Sequence, residues 1–198
     1  MLMNKTITNK NLVNKNLNNK ISFNNIIIWR HAEAHPAEVS MSTDDMARSL
    51  TPKGKQQAKR MADWLDKRLP NDFLLVTSPA LRAYQTAQAL KNNIRVEESL
   101  KPTANLQQVL EALHKLSDLQ PSSKNLLLVG HQPWLWQLIA HLTGFSVGDI
   151  NIKKGAVWWL RRHLSETTLN QTLALNHALI LNQKPAYKLL TIQTPSLL

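Results

Sequence analysis

The sequence of 198 residues contains no cysteine and no hydrophobic run long enough to cross a membrane. The absence of cysteine excludes disulfides, thiolate metal sites and a cysteine nucleophile, and it suits a reducing cytoplasm. A membrane-spanning helix needs about 20 apolar residues, so we expect no membrane span and a cytoplasmic location. Because 43% of the residues are hydrophobic, a chain of this length is expected to form one domain with a buried core.

Acidic residues are scarce relative to basic ones, and the excess of positive charge lies mainly at the two ends of the chain. The formal net charge is +11. Residues 1–25 contain four lysines and no acidic residue, whereas residues 26–148 are nearly balanced. No nucleic-acid motif accompanies the charge, so we expect no specific nucleic-acid partner. The asparagine and lysine content of residues 1–25 predicts a disordered tail, with the folded domain over residues 26–198.

Strand-like and helix-like segments alternate from residue 26 onward, which predicts a three-layer α/β domain. Short apolar runs predict the strands, and amphipathic spacing or a proline at the first helical position predicts the helices. The stretch 161–184 gives no clear pattern. Strands are predicted at 26–30, 73–77, 95–97, 126–129, 156–160 and 187–192, and helices at 52–68, 78–90, 106–116 and 133–142.

A cationic residue follows each of three of these apolar runs. The carboxyl ends of strands in an open α/β sheet converge on one crevice, where ligands bind. Two histidines and two arginines at such positions predict a phosphoryl-binding site. The four residues are Arg30, His31, Arg82 and His131.

The chemistry of phosphoryl transfer suits these residue types. A neutral imidazole of His31 can attack phosphorus and leave again, which splits one displacement into two. The guanidinium groups of Arg30 and Arg82 stay charged and pair bidentately with phosphate oxygens. His131 can donate a further hydrogen bond to the developing charge.

Two other interpretations use the same residue types. Arg162-His163 also ends an apolar run, so the position of a histidine after a strand does not by itself exclude His163. His31 and His35 flank Glu33, which superficially resembles a zinc-binding helix. The order of these residues differs from the usual zinc motif, however, and Pro36 disfavours a helix at His35.

Four motifs in order resemble the histidine phosphatase superfamily, and within it the SixA-like branch of phosphohistidine phosphatases. The resemblance implies a three-layer α/β/α sandwich with a mostly parallel central sheet, like that of phosphoglycerate mutase, and no metal or cofactor. It implies His31 as the phosphorylated residue and Arg30, Arg82 and His131 as the phosphate pocket. The motifs are Arg30-His31-Ala32, Asp45 with 48–54, Ser78-Pro79 with Arg82-Ala83 and Thr86, and 129–133.

The sequence departs from the wider superfamily at two positions. Ala32 replaces the usual glycine, and Gln132 stands where many relatives carry an aspartate as general acid. A positioned acid contributes about 10²–10⁴-fold to the cleavage of esters with poor leaving groups, whereas an imidazole leaving group needs far less proton assistance. The remaining candidates for such an acid are Glu33, Glu97, Glu98 and Glu111.

The sequence therefore predicts a hydrolase that removes phosphate from a phosphorylated histidine of a signalling or phosphotransfer protein, through a covalent phospho-His31 intermediate. One alternative is a phosphomonoesterase that acts on a small phosphorylated substrate with one of these carboxylates as acid. Another is a module that binds phosphoryl groups without turnover.

Overall fold

The computed structural model describes residues 21–37, 44–91, 93–146, 148, 150–163 and 186–198. Strands and helices alternate in the predicted order along these residues. The strands are β1 (Asn25–Arg30), β2 (Phe73–Thr77), β3 (Arg95–Val96), β4 (Asn125–Gly130), β5 (Val157–Arg162) and β6 (Tyr187–Gln193). The helices are α1 (Pro52–Asp66), α2 (Leu81–Gln88), α3 (Leu106–Leu119) and α4 (Trp134–Thr143).

The strands form one six-stranded sheet in the order β3-β2-β4-β1-β5-β6. The pairings of β3 with β2, β2 with β4 and β4 with β1 are parallel. The pairings of β1 with β5 and β5 with β6 are antiparallel. The sheet is thus mixed, with its parallel part at the centre, where β4 is buried along its whole length as expected of a strand covered on both faces.

Alternate residues of the central strands face two separate cores. Ile26 and Ile28 of β1 belong to the core under α3 and α4, whereas Ile27 and Trp29 belong to the core under α1 and α2. Successive side chains of a strand point to opposite faces, so each face of the sheet carries its own helical layer. The predicted three-layer α/β/α sandwich is confirmed.

The folded domain extends to the N-terminal side of the predicted boundary at residue 26. Ile21 and Phe23, which the sequence analysis places in the tail, are fully buried. The hydroxyl of Tyr187 in β6 donates to the carbonyl of Phe23 over 2.8 Å, which ties this segment to the edge of the sheet. The remainder of the predicted tail, residues 1–20, lies outside the described residues. So do residues 164–185, which include most of the stretch that gives no clear pattern in the sequence.

Helix α2 begins later than its sequence predicts. Ser78-Pro79 has the pattern of an N-cap followed by proline, but the N-cap residue is Ala80, which makes no side-chain capping bond. Helix α1, in contrast, begins as predicted, because Thr51 Oγ1 accepts from the Gly54 N–H over 2.9 Å. In the described part of the chain no helix is long and apolar enough to cross a membrane.

Candidate active site

The four predicted site residues meet at one edge of the sheet. His31 directly follows β1, His131 directly follows β4, and Arg82 lies in the first turn of the helix after β2. Because β2, β4 and β1 are adjacent and parallel, their carboxyl ends lie side by side. They open on a cavity of 220 Å³, lined by Arg30, His31, Ala34, Arg48, Arg82, Pro102, His131, Gln132 and Lys154.

One ring nitrogen of His31 is hydrogen-bonded, and the other has no hydrogen bond within the described part of the chain. Its Nδ1 lies 2.8 Å from the carbonyl oxygen of Ala32, and a carbonyl only accepts, so Nδ1 carries the proton. Nε2 therefore keeps its lone pair. Burial, opposed by the hydrogen bond to Ala32 and reinforced by the charges of Arg82 and Arg30, lowers the pKa of His31 to about 3. The imidazole is neutral at physiological pH, as a nitrogen nucleophile requires.

Thr86 fixes the backbone that receives this hydrogen bond. Its hydroxyl accepts from the Ala32 N–H over 3.0 Å and donates to the Arg82 carbonyl over 2.7 Å. The buried Thr86 side chain thus links the backbone of Ala32 to the backbone of Arg82.

Arg82 is almost fully buried and is held by the short 3-10 helix Asp45–Ala47. Its Nη1 donates to the Asp45 carbonyl over 2.6 Å, and its Nη2 donates to the Asp45 carboxylate over 2.9 Å. Burial alone would raise the pKa of Asp45, but hydrogen bonds from Arg48 and Arg82 lower it below its usual value. Asp45 therefore stays ionised and holds the Arg82 guanidinium in place beside the first turn of α2.

Several buried nitrogens at this edge have no hydrogen-bond partner among the residues that the structure describes. In the described residues, five buried side-chain polar atoms lack a hydrogen bond, and three of them belong to side chains that line the cavity. These three are Arg30 Nε, Arg82 Nε and His131 Nδ1. Buried polar groups are nearly always satisfied, so three unpartnered nitrogens on side chains that line one cavity suit an oxyanion as their partner.

The cavity is strongly cationic. Arg30, Arg48, Arg82 and Lys154 all line it, and none of its described lining residues is a carboxylate. Arg48 also anchors the loop, since its Nη1 donates to the His35 carbonyl over 2.7 Å. Arg30 Nη1 donates to the Ile152 carbonyl over 2.5 Å. The charge and size of the cavity suit a phosphoryl group.

None of the four candidate carboxylates lines this cavity. Glu33 pairs with Lys53 at 3.2 Å, and this contact lowers its pKa. Glu97 accepts from the Ser99 hydroxyl, Glu98 is exposed on the short helix Glu98–Leu100, and Glu111 accepts from Gln107 on the exposed face of α3. Gln132 does line the cavity, and its amide lies 3.4 Å from the Ile152 carbonyl.

The two competing interpretations fail on geometry. Strand β5 is antiparallel to β1, so Arg162-His163 lies beside the start of β1, at the opposite edge of the sheet. The segment from His31 to His35 is not helical, because Ala34 bridges Leu50 and the His35 N–H donates to the Ser49 carbonyl. The paired orientation of a zinc-binding helix is therefore absent at these residues.

Ser78, Lys154 and Pro102 are among the residues at this edge that the sequence did not mark as part of the site. Ser78, interpreted as a helix cap, places its hydroxyl 2.7 Å from His131 Nε2. Its position directly after β2 is a signal that could have found it. Lys154 precedes the antiparallel strand β5, and Pro102 follows the short helix Glu98–Leu100, so no rule about strand ends marks either one.

The comparisons with known proteins agree with this geometry. The family model of the histidine phosphatase superfamily (branch 1) matches residues 26–107. An uncharacterized protein of a Picosynechococcus species is 32% identical over 142 residues, which are 69% of this chain and 84% of that protein.

Solved structures of phosphatases share the fold. The protein histidine phosphatase SixA complexed with tungstate matches with a TM-score of 0.65 and 21% identity, over 87% of this chain and 97% of that one. The putative phosphohistidine phosphatase SixA of Nakamurella multipartitia matches with a TM-score of 0.64 and 20% identity, over 86% of this chain and 95% of that one. A mycobacterial glucosyl-3-phosphoglycerate phosphatase matches with a TM-score of 0.57 and 18% identity, over 71% of this chain and 91% of that one. The chain belongs to the histidine phosphatase superfamily.

Proposed function

We propose that this protein is a phosphohistidine phosphatase that acts on a phosphorylated histidine of a signalling or phosphotransfer protein. The observation that carries the proposal is the composition of the cavity. It gathers four cationic side chains around a neutral histidine with a free Nε2, and its described lining includes no carboxylate.

The proposed reaction has two steps. In the first, the His31 Nε2 lone pair attacks phosphorus in line with the P–N bond of a substrate ring that carries a proton on its other nitrogen. This bond breaks, and its electron pair stays on the substrate ring, which departs as neutral imidazole. In the second, water attacks phospho-His31 and releases inorganic phosphate and neutral His31. Arg30 and Arg82 hold the equatorial oxygens in both steps, and His131 donates to one of them.

The substrate class follows from the leaving group. An alkoxide must be protonated as it leaves, and a positioned acid supplies about 10²–10⁴-fold for this purpose. The conjugate acid of a neutral imidazole has a pKa of about 6.5, so a phosphorylated ring that already carries a proton on its other nitrogen leaves as neutral imidazole without such an acid. The fold shared with SixA supports this class, whereas the fold shared with the mycobacterial phosphatase supports the rival, a phosphomonoesterase that acts on a small ester.

A substrate comparison tests the proposal. Wild type, His31→Ala and His163→Ala are assayed with a phosphoramidate, a phosphohistidine-bearing protein and an alkyl phosphate. We expect hydrolysis of the P–N substrates to exceed that of the ester greatly, to vanish in His31→Ala and to persist in the matched control His163→Ala. The reverse preference would favour the phosphomonoesterase, and tight phosphate binding without turnover would favour a binding module.

A further inference from the structure

His131 is confined in one orientation by its neighbours. The ring is almost fully buried, and the Trp134 ring meets it edge-on at 6.5 Å between centroids. Trp134 also packs directly on Gly130, where an added Cβ would lie 2.2 Å from the indole. The chemistry that His131 offers therefore depends on which of its two nitrogens carries the proton.

The Ser78 hydroxyl contacts one of these nitrogens. Ser78 is fully buried, and its Oγ lies 2.7 Å from His131 Nε2. The same Oγ accepts from the Ala80 N–H over 3.2 Å. No other side chain or carbonyl in the described part of the chain is hydrogen-bonded to it. The hydroxyl proton thus has one acceptor within reach, which is Nε2.

Counting donors and acceptors selects one tautomer. A proton on Nε2 would leave the Ser78 hydroxyl proton without an acceptor and His131 Nδ1 without a donor. A proton on Nδ1 satisfies both Ser78 and Nε2 and leaves only the Nδ1–H without a partner, which matches the unpartnered buried Nδ1. Buried polar atoms left unsatisfied are costly, so the second arrangement is favoured.

We propose that Ser78 is a positioning residue that holds the proton of His131 on Nδ1, so that this N–H donates to an oxygen of the transferring phosphoryl group. The inference rests on the proposed function, because the phosphoryl group is the acceptor. The opposite tautomer would direct a lone pair of Nδ1 at an anionic oxygen and repel it. Burial, reinforced by the charges around it, lowers the pKa of His131 to about 2, so a proton from solvent does not supply this donor.

The two histidines then carry their protons for opposite purposes. The Ala32 carbonyl holds the proton of His31 on Nδ1 and leaves Nε2 bare for attack. The Ser78 hydroxyl occupies Nε2 of His131 and leaves Nδ1–H as a donor. Their ring centroids are 5.0 Å apart, so both can face one phosphoryl group.

Three variants of the full chain test the role of Ser78. Ser78→Ala removes the hydroxyl and Ser78→Thr retains it. Thr77→Val removes a neighbouring buried hydroxyl that has no hydrogen-bond partner in the described structure, and serves as the matched control. Long-range proton–nitrogen NMR of the imidazoles reports which nitrogen of His131 is protonated, and titration with inorganic phosphate reports binding.

We expect His131 to be protonated on Nδ1 in wild type, Ser78→Thr and Thr77→Val, and to shift toward the other tautomer in Ser78→Ala. The dissociation constant for phosphate should rise in Ser78→Ala on the order of tenfold to a hundredfold, by analogy with groups that orient a metal-binding histidine, and change little in Thr77→Val. A wild-type His131 protonated on Nε2, or an unchanged tautomer in Ser78→Ala, would overturn the inference.

If Ser78→Ala does not fold, the wild-type spectrum alone can still overturn the inference about Ser78, by showing the His131 proton on Nε2. A wild type that hydrolyses no P–N substrate would instead refute the proposed function. That failure is separate, because the NMR measurement needs neither substrate nor turnover.

Discussion

Gly54 in helix α1 packs against the loop that follows His31. A Cβ added at Gly54 would lie 1.9 Å from the Glu33 carbonyl oxygen and 2.8 Å from its carbon. The same carbonyl accepts from the Thr51 N–H over 3.0 Å. Gly54→Ala therefore forces apart the start of α1 and the segment that carries the nucleophile candidate.

Two effects of opposite sign decide the outcome of Gly54→Ala. Helix propensity favours alanine over glycine by up to about 1 kcal/mol. Forcing an extra carbon into a packed site costs about 1–3 kcal/mol, and occasionally more. The obstructing atom here belongs to the backbone and cannot rotate away, so the second effect should exceed the first. We expect a net loss of about 1–2 kcal/mol in the free energy of unfolding.

Urea unfolding followed by circular dichroism measures this loss, and kcat/KM for a P–N substrate should fall with it. Gly148→Ala is the matched control, because no atom of the described residues lies within 4 Å of a Cβ added there. A Gly54→Ala protein as stable as wild type, or more stable, would show that propensity dominates and that the contact with Glu33 does not constrain the loop.

Three further predictions concern the same edge of the sheet. First, burial and the nearby charges keep the pKa of His31 at about 3 and that of His131 at about 2, so the unfolded chain binds more protons below about pH 6.5. The free energy of unfolding should thus fall as the pH decreases from about 6.5 toward 3, by up to about 1.4 kcal/mol per pH unit for each histidine. Urea unfolding at a series of pH values measures this fall, which should be smaller in His31→Gln. Second, Thr86→Val leaves the buried Ala32 N–H unpartnered and should cost about 1–3 kcal/mol in the same assay; an unchanged stability would contradict that coupling. Third, Lys154→Gln should raise KM for a phosphorylated substrate by up to about fivefold, and an equal effect of Lys153→Gln, which does not line the cavity, would argue against a direct role.

The sequence is sufficient to predict the main elements and the meeting of the four site residues. Apolar runs and helical spacing mark most strands and helices within a few residues, because buried faces impose their period on the chain. The convergence of Arg30, His31, Arg82 and His131 follows from one rule about parallel strands. That rule suffices because the strands that carry these residues are neighbours in the parallel part of the sheet.

Other features of the site depend on strand direction and tertiary contacts that local patterns do not contain. Arg162-His163 matches the pattern of Arg30-His31, and only the antiparallel direction of β5 separates them. Ser78 has the residue type of a helix cap, yet its hydroxyl contacts a histidine 53 positions away. Ile21 and Phe23 lie in a polar segment, and they are buried because they pack in a core that also contains side chains of α3, α4 and β6, which are distant in the sequence.

The central claim is that His31 Nε2 is the nucleophile, and trapping the intermediate tests it most directly. The full chain is mixed with a phosphoramidate, quenched with alkali and digested for mass spectrometry, in wild type, His31→Ala and His163→Ala. We predict an acid-labile, alkali-stable phosphate on His31 in wild type and in His163→Ala. Phosphate on another residue, or full turnover by His31→Ala, would contradict the account.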